Sequence, residues 1–288
     1  DGLYRNYYED WSFQTVKTGD SLKLGKRTLT FIEAPMIHWP DSMFTYCREE
    51  ELLMPNDAFG QHFASSERFA DEVDQCALMH EAAKYYANIL TPLGPIILKK
   101  IEDVVKMNIP ISMIAPSHGL IWRKDPMQIV DRYISWAKNE TKPKVVIAYE
   151  TMWGATDKMA KLIGRGIADG GVDVKIYDIA QADSTEIIGQ MLDAKGYLLG
   201  SSTHDNDMLP NIAGFLEFLK GLKPRNRIAA AFGSYGWGGG AVQGIEKVLK
   251  DGGIEIAAAP ITCRFFPDES EIGKCYEFGA EFAKKIRG

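Results

Sequence analysis

The stretch Val145-Val146-Ile147-Ala148-Tyr149-Glu150-Thr151-Met152-Trp153-Gly154-Ala155-Thr156-Asp157 decides the fold of the second half of the chain. Its first five residues form a continuous apolar run, which is typical of a parallel strand buried on both faces. The T-x-x-G-x-T pattern that follows supplies hydroxyls, a glycine that permits close backbone approach, and free N–H groups where a helix begins. The stretch therefore predicts a strand, a phosphate-binding loop and a helix, in that order.

Short apolar strands alternate with helical segments from this point to the end of the chain. We expect the strands at Lys144–Tyr149, Val172–Tyr177, Lys195–Gly200, Arg227–Phe232 and Ile254–Ala259, and the helices at Asp157–Asp169, Ser184–Leu192, Pro210–Gly221, Ala241–Asp251 and Asp268–Ile286. Five strands alternating with five helices over about 145 residues predict an α/β domain with a doubly wound parallel sheet. The polar segment Asn139–Pro143 is predicted to be the linker before it.

Two more loops are expected at the carboxyl ends of these strands, where open parallel sheets bind ligands. Ser201–Asp207 is rich in small polar groups, and Gly233–Gly240 sets two aromatic residues among glycines. Together they can offer stacking faces and hydrogen bonds to an isoalloxazine ring. The first loop has no P-loop lysine for a nucleoside triphosphate, and its glycine spacing is not that of a dinucleotide-binding fold.

Residues 144–288, with these three loops in place, resemble a flavodoxin domain, and the resemblance implies FMN as cofactor. The candidate FMN-binding residues are Thr151, Met152, Trp153, Gly154, Ala155, Thr156, Ser201, Thr203, His204, Asp205, Asn206, Ser234, Tyr235, Gly236, Trp237, Gly238 and Gly239. We expect either Tyr235 or Trp237 to touch the ring, although an aromatic residue beside a glycine turn can also serve only in packing.

The first half of the chain has strand-like pieces first and helices afterwards. Strands are expected at Phe13–Lys17, Ser21–Leu24, Thr28–Ile32, Met43–Cys47, Glu51–Met54 and Ile111–Ala115, a long helix capped at Ser65-Ser66-Glu67, a second helix through Ile97, Ile101 and Val104, and a last one opened by Asp125-Pro126. This order predicts part of a layered α+β domain over residues 1–140.

Three candidate metal ligands stand in loops that follow predicted strands of this half. They are His38 in Ile37-His38-Trp39-Pro40, Asp57 in Asn56-Asp57-Ala58-Phe59, and His118 in Ser117-His118-Gly119. Two imidazoles and a carboxylate suit iron, zinc or manganese. The three residues alone leave a surface or packing role open for each histidine.

Taken with the flavodoxin-like half, these motifs resemble the flavodiiron proteins over essentially the whole chain from about Trp11 onward. The resemblance implies a metallo-β-lactamase-like αββα domain with two non-haem irons, which FMN supplies with electrons to reduce O2 to water or NO to N2O. His38 would bind one iron, His118 the other, and Asp57 would bridge them as part of the catalytic centre. The family's remaining ligands lie in an H-x-E-x-D-H motif that the 288 residues lack. We therefore expect Asp1 to be an internal position of a longer protein, so that residues 1–140 are only part of the lactamase-like domain.

The resemblance also implies partners for the chain. Electrons would come from a rubredoxin-type or other small donor, and a head-to-tail homodimer, or a dimer of such dimers, would bring FMN near the partner's irons. Trp39, beside His38, is a candidate for lying between the cofactors or for packing. His62 is expected to line the site or face solvent, and His80 to be a packing or surface residue.

Composition bears on the partners and the location of the protein. The chain has 33 basic and 39 acidic residues, a net charge of -6, and four scattered cysteines. This balance disfavours nucleic acid as a partner, no apolar run is long enough for a membrane span, and reduced thiols predict a cytoplasmic protein. Two other functions stay open, namely an electron-transfer flavoprotein without a working metal site and a zinc hydrolase of the metallo-β-lactamase type.

Overall fold

Two β-sheets, one in each half of the chain, organise the structure. The computed structural model describes residues 2–7, 9 and 11–288. Its first half contains α1 (Gly2–Tyr7), β1 (Ser21–Leu24), β2 (Arg27–Glu33), β3 (Met43–Cys47), β4 (Leu52–Met54), α2 (Gln75–Tyr85), α3 (Gly94–Lys106), β5 (Met113–Ile114) and α4 (Met127–Ala137). Its second half contains β6 (Lys142–Glu150), α5 (Ala155–Asp169), β7 (Asp173–Asp178), α6 (Ser184–Met191), β8 (Ala194–Ser202), α7 (Pro210–Leu222), β9 (Ile228–Tyr235), α8 (Ala241–Asp251), β10 (Glu255–Ile256), β11 (Ile261–Arg264) and α9 (Glu269–Arg287).

The first sheet runs β1-β2-β3-β4-β5, with antiparallel pairing except between β4 and β5. One of its faces is buried in the core that also takes in residues of α2, α3 and α4, and this face carries Ile32, Phe44, Tyr46, Leu53 and Ile114. The expected strand at Phe13–Lys17 was wrong, because those residues have no regular structure.

The long helix α2 begins later than the sequence indicated, so the expected cap at Ser65-Ser66-Glu67 was wrong. The hydroxyls of Ser65 and Ser66 donate to the Glu67 carboxylate at 2.6 and 2.9 Å, and Ser65 also accepts the Glu67 N–H. These side chains therefore close a local turn. The helix is capped instead by Asp74, whose carboxylate accepts the Ala77 N–H at 2.7 Å.

The second sheet is parallel and has the order β7-β6-β8-β9, followed on the outer side of β9 by β10 and β11. This is the doubly wound arrangement that the alternating pattern predicts. The last strand is divided, however, and the expected single strand Ile254–Ala259 covers only its first piece. Pro260 precedes the second piece and has no N–H for the ladder, which is a physical reason for the interruption.

Alternate residues of the central strands point to opposite faces of this sheet. Val145, Ile147 and Tyr149 of β6 belong to the core with α5 and α9, whereas Val146 and Ala148 belong to the core with α6, α7 and α8. Both faces are covered, as the continuous apolar strands require.

The two halves share one apolar core. The cluster that contains Leu78 and Ala82 of α2 continues through Ile187 and Ile188 of α6. His80, predicted to be a packing or surface residue, lies at this junction, where its Nε2 is 2.9 Å from Oε2 of Glu186. Among the described residues, no helix is both long enough and apolar enough to cross a lipid bilayer.

Glu150, the last residue of β6, is buried and caps the start of α7. Its Oε2 accepts the N–H of Ile212 at 3.0 Å, and its Oε1 accepts Nδ2 of Asn211 at 2.7 Å. Donors in the first turn of a helix lack intrahelical partners, and the helix dipole there favours a negative charge. These hydrogen bonds thus fix Glu150, the residue directly before the predicted phosphate-binding loop.

We expect Glu150→Ala to lower the free energy of unfolding by about 2 kcal/mol, because the buried Ile212 N–H is left without its acceptor and the Asn211 amide loses its partner. Urea denaturation followed by circular dichroism measures the change. Glu217→Ala on the same helix is the control, since Glu217 contacts only Lys220 at the surface. Equal losses in the two variants would contradict the capping role of Glu150.

Candidate functional site

The loop between β6 and α5 is built to expose backbone N–H groups. Gly154 is the N-cap of α5 and has a φ of +86°, a conformation that strongly favours glycine. Its own N–H is satisfied by Thr151 Oγ1 at 3.1 Å. A Cβ added at Gly154 would meet no atom within 4 Å, so the space beside the loop is open. This start of a 15-residue helix offers the geometry of an anion site.

Three hydroxyls join the carboxyl ends of three strands below this loop. Thr156 Oγ1 lies 3.0 Å from Ser202 Oγ and 2.9 Å from Ser234 Oγ, and the two serine oxygens are 3.3 Å apart. Ser202 Oγ also accepts the N–H of Met152 at 3.3 Å. The cluster therefore fixes the three loops relative to one another.

A cavity of about 550 Å³ opens above the hydroxyl cluster. It is lined by Met152, Trp153, Ala155, Ser202, Thr203, Asp205, Asn206, Ser234, Tyr235, Gly236, Trp237, Gly238, Phe265 and Phe266. Trp153 and Trp237 are 87% and 94% exposed, so neither indole is held in the protein core. The volume is within the usual range for a small-molecule or cofactor pocket.

Most of the predicted flavin residues meet at this cavity. Thr151, Gly154 and Thr156 shape the loop beside it without lining it. Three predicted residues are directed elsewhere. Ser201 is buried and its Oγ accepts the Leu209 N–H at 2.9 Å, His204 lies outside the lining with Nδ1 3.4 Å from Asp205 Oδ2, and Gly239 lines a separate 280 Å³ cavity.

Sequence reasoning missed Ser202, Phe265 and Phe266 as lining residues. Ser202 stands in the second predicted loop, and its position at the end of β8 could have identified it. Phe265 and Phe266 follow β11, whose start could not be placed because the strand is interrupted. Two adjacent phenylalanines after a strand were the available signal.

The acidic group nearest the start of α5 is already paired. Burial raises the pKa of Asp157, but hydrogen bonds from Lys161 and Tyr149 outweigh it and the net shift is downward. Burial, together with the hydrogen bond to Asp157, raises the pKa of the Tyr149 hydroxyl. Tyr149 therefore remains a donor at neutral pH, and Lys161, 2.8 Å away, balances the charge of Asp157.

A second cluster lies in the first half of the chain, where Asp57 stands between two histidines. His38 Nε2 is 3.4 Å from Oδ2 of Asp57, and His118 Nε2 is 3.9 Å from Oδ1. Each carboxylate oxygen thus faces a different imidazole. Two ligands of one metal ion, each about 2.1 Å from it, are separated by roughly 3 to 3.5 Å.

The hydrogen bonding of the His118 ring suits a metal ligand. Its Nδ1 lies 3.3 Å from the carbonyl oxygen of Gln61, and because a carbonyl can only accept, the ring proton belongs on Nδ1. In the neutral ring Nε2 then carries the lone pair, and this nitrogen faces Asp57. Lone pairs that face each other across a gap favour a cation between them, and this histidine with a backbone acceptor behind it is a usual metal-site arrangement.

Two features hold the loops of this cluster close together. A Cβ on Gly60 would come within 2.5 Å of Cε1 of His118, so only glycine permits the observed approach. Buried Gln61 accepts the Leu120 N–H at 2.7 Å and donates to the carbonyl of Phe59 at 3.2 Å. Gln61 was missed as a functional residue, because only the fold reveals which loop it bridges.

Aromatic residues surround the cluster. The Tyr85 ring centroid lies 5.0 Å from those of His62 and His118, so His62 lines the site although it is exposed. Trp39 lies beside His38 and is 60% exposed, so it does not pack in the core. Among residues 2–7, 9 and 11–288, no three His, Cys, Asp or Glu side chains are gathered tightly enough to hold a metal ion by themselves.

Both halves of the chain match known protein families. Residues 147–279 match the flavodoxin family model, and residues 4–119 match the model of the ODP family beta lactamases. The chain is 50% identical to the nitric oxide reductase of Moorella thermoacetica, over 99% of this chain and 72% of that protein. It is 47% identical to the anaerobic nitric oxide reductase flavorubredoxin of Aeromonas hydrophila, over 97% of this chain and 57% of that protein.

Solved structures agree with these matches. The rubredoxin oxygen:oxidoreductase of Desulfovibrio gigas superposes with a TM-score of 0.95 at 36% identity, over 99% of this chain and 72% of that one. The flavodiiron protein of Giardia intestinalis superposes with a TM-score of 0.92 at 34% identity, over 99% and 70%. The fold and the predicted resemblance are thereby confirmed, and the chain belongs to the flavodiiron protein family of oxidoreductases.

Proposed function

We propose that the protein carries electrons through FMN to a non-haem diiron site that reduces NO to N2O, O2 to water, or both. The observation that carries the proposal is the occurrence of the His38–Asp57–His118 cluster and a flavin-sized cavity on one continuous fold. Because the chain spans 72% of the Moorella protein and 57% of the Aeromonas protein, the proposal concerns the whole protein to which these residues belong.

FMN fits the cavity by its chemistry at both ends. The open N-terminus of α5 suits a phosphate, and the aromatic and small polar lining suits an isoalloxazine ring. When bound, FMN would accept electrons from a one-electron donor, hold up to two of them and pass them singly to a metal centre. The chain's part is to bind the phosphate at the Gly154 loop, stack the ring with Trp153, Tyr235 or Trp237, and exclude water from one side of it.

Iron fits the second cluster by its donor set. Two neutral imidazoles and a carboxylate are ligands of non-haem iron, and a carboxylate with both oxygens engaged can bridge two ions. We assign His38 to one iron, His118 to the other and Asp57 to both. The nearby Ser117 hydroxyl donates to Asp57 Oδ1 at 2.9 Å and orients the bridging group.

Nitric oxide is the substrate that we put first. The relatives at 47–50% identity are named nitric oxide reductases, whereas the oxygen reductase matches at 36%. Steady-state consumption of NO and of O2 by the reduced protein tests this preference for NO. Each gas is supplied separately to an otherwise oxygen-free solution. A kcat/KM that is higher for O2 than for NO would reverse it.

The remaining partners are proposed from the family. A rubredoxin-type or other small electron donor, a head-to-tail homodimer or dimer of such dimers, and a cytoplasmic location stay predictions. An electron-transfer flavoprotein with an empty first half is distinguished by measuring iron on the full-length protein, since about two irons per subunit exclude it. Bound zinc together with lactam or thioester hydrolysis would support the hydrolase instead.

We expect Gly154→Ala to raise the FMN dissociation constant about tenfold. An L-residue at this φ costs about 1–2 kcal/mol, so the free loop relaxes and binding must restore it. Flavin fluorescence titration of the apoprotein measures the constant. Riboflavin, which lacks the phosphate, should bind equally to the wild type and to Gly154→Ala.

Gly253→Ala is the matched control, because Gly253 also has a positive φ, +73°, and open space around it but lies after α8. Its FMN affinity should equal that of the wild type. If both glycine variants bind FMN like the wild type, the phosphate site is not at the Gly154 loop.

In the whole protein, we expect Asp57→Asn to reduce bound iron from about two to less than one per subunit, because an amide offers one neutral oxygen and cannot bridge two cations. Iron is measured by mass spectrometry alongside the flavin absorbance, which should not change. Asp71→Asn is the control, since Asp71 pairs with Arg123 at the surface. Full iron retention in Asp57→Asn would overturn the bridging assignment.

A further inference from the structure

Two adjacent aromatic side chains follow β11 and border the flavin-sized cavity. Phe265 and Phe266, which we call the aromatic arm, are 60% and 53% exposed. The packing of the chain therefore does not account for two phenylalanines at this position, since large apolar side chains gain free energy only when they are covered. Phe265 also has a φ of +61°, which is uncommon for a bulky residue.

The backbone holds the arm against the third loop of the cavity. The Phe265 N–H donates to the Tyr235 carbonyl at 2.7 Å, and Nε of Arg264 donates to the Gly236 carbonyl at 2.9 Å. A Cβ built on Gly236 would lie 3.6 Å from Cε1 of Phe265, which places the ring directly beside that glycine. The arm is therefore positioned by fixed contacts.

On its other side the arm reaches the first turns of α5. Nζ of Lys158 lies 4.9 Å from the centre of the Phe266 ring, within the range of a cation–π contact. The cavity is thus enclosed by a closed ring of contacts, from the first loop through the second and third to the arm and back to α5. The strands that carry the first loop and the aromatic arm are not neighbours in the sheet. The contact between Lys158 and Phe266 is therefore the one that completes the circuit around the cavity.

We propose that the aromatic arm is a fourth wall of the flavin site, which contacts the isoalloxazine ring and sets how tightly the flavin is retained. The inference rests on the proposed function, because it requires the cavity to hold a flavin. Phe265 and Phe266 supply flat apolar faces for the ring, and Lys158 keeps Phe266 in place as a positioning residue. The three loops typical of a flavodoxin-like site need this fourth segment because their own aromatics, Trp153 and Trp237, are almost fully exposed.

Flavin binding to variants of the arm tests the proposal. Phe265→Ala and Phe266→Ala should each raise the dissociation constant about tenfold, equivalent to about 1.4 kcal/mol, for FMN and for riboflavin alike. A wall that touches the ring acts on both ligands equally, whereas a disturbed phosphate loop weakens FMN alone. Phe266→Tyr keeps the aromatic face and should bind like the wild type.

Lys158→Met adds a test of positioning. In a double-mutant cycle, Lys158→Met should weaken riboflavin binding in the wild-type background but should have no effect in the Phe266→Ala background. Phe218→Ala, which removes a partly exposed phenylalanine of α7 away from the cavity lining, is the matched control and should bind both flavins normally. Thermal unfolding of the apoproteins should give equal midpoints, because the arm side chains are exposed.

The outcomes distinguish a failure of the fourth wall from a failure of the proposed function. If the wild-type protein binds no flavin, the proposed function itself fails. If the wild type binds flavin and the arm variants bind it equally well, or lose FMN but not riboflavin, only the fourth wall is overturned.

Discussion

Parallel strands of one sheet end at the same edge, and the flavin-sized cavity depends on that constraint. Ser202 and Ser234 lie at the ends of β8 and β9, and the loop after β6 brings Thr156, in the first turn of α5, to the same point. Each hydroxyl has one proton, so three that contact one another can satisfy themselves only in a definite arrangement. That requirement fixes the loops before any ligand binds and spares the ligand the entropic cost of ordering them.

The His38–Asp57–His118 cluster depends on a different constraint, the close approach of two loops. His118 reaches Asp57 because Gly60 leaves room for its ring and because Gln61 ties the two loops by hydrogen bonds. Both residues are fixed in turn by the core, since the Phe59 carbonyl beside Gln61 also accepts the indole N–H of Trp122 at 3.0 Å. The geometry at Asp57 is therefore set by buried hydrogen bonds.

The sequence was sufficient for the order of elements in the second half because apolar strands buried on both faces are distinctive, and loop positions follow from strand ends. It was insufficient where tertiary contacts decide. The serines at positions 65 and 66 carry a cap signature but bind Glu67 instead, and the interruption at Pro260 concealed Phe265 and Phe266. Ser201 and Ser202 are neighbours with the same side chain, yet alternation along β8 directs them to different partners, so only one lines the cavity.

Helix α2 lies between the His38–Asp57–His118 cluster and helix α6 of the flavodoxin-like half. Its residues Tyr85 and His80 occupy different faces, with Tyr85 beside His118 and His80 against Glu186 of α6. Burial, and then the charge of Asp57, raise the pKa of the Tyr85 hydroxyl, so it stays protonated beside the cluster. Farther along the same segment, Asn88 donates to the Thr185 carbonyl at 3.0 Å. Because protein interiors are close-packed, α2 and α6 hold each other in place at this junction. The placement of the His38–Asp57–His118 cluster against the flavodoxin-like half is therefore a property of the shared core.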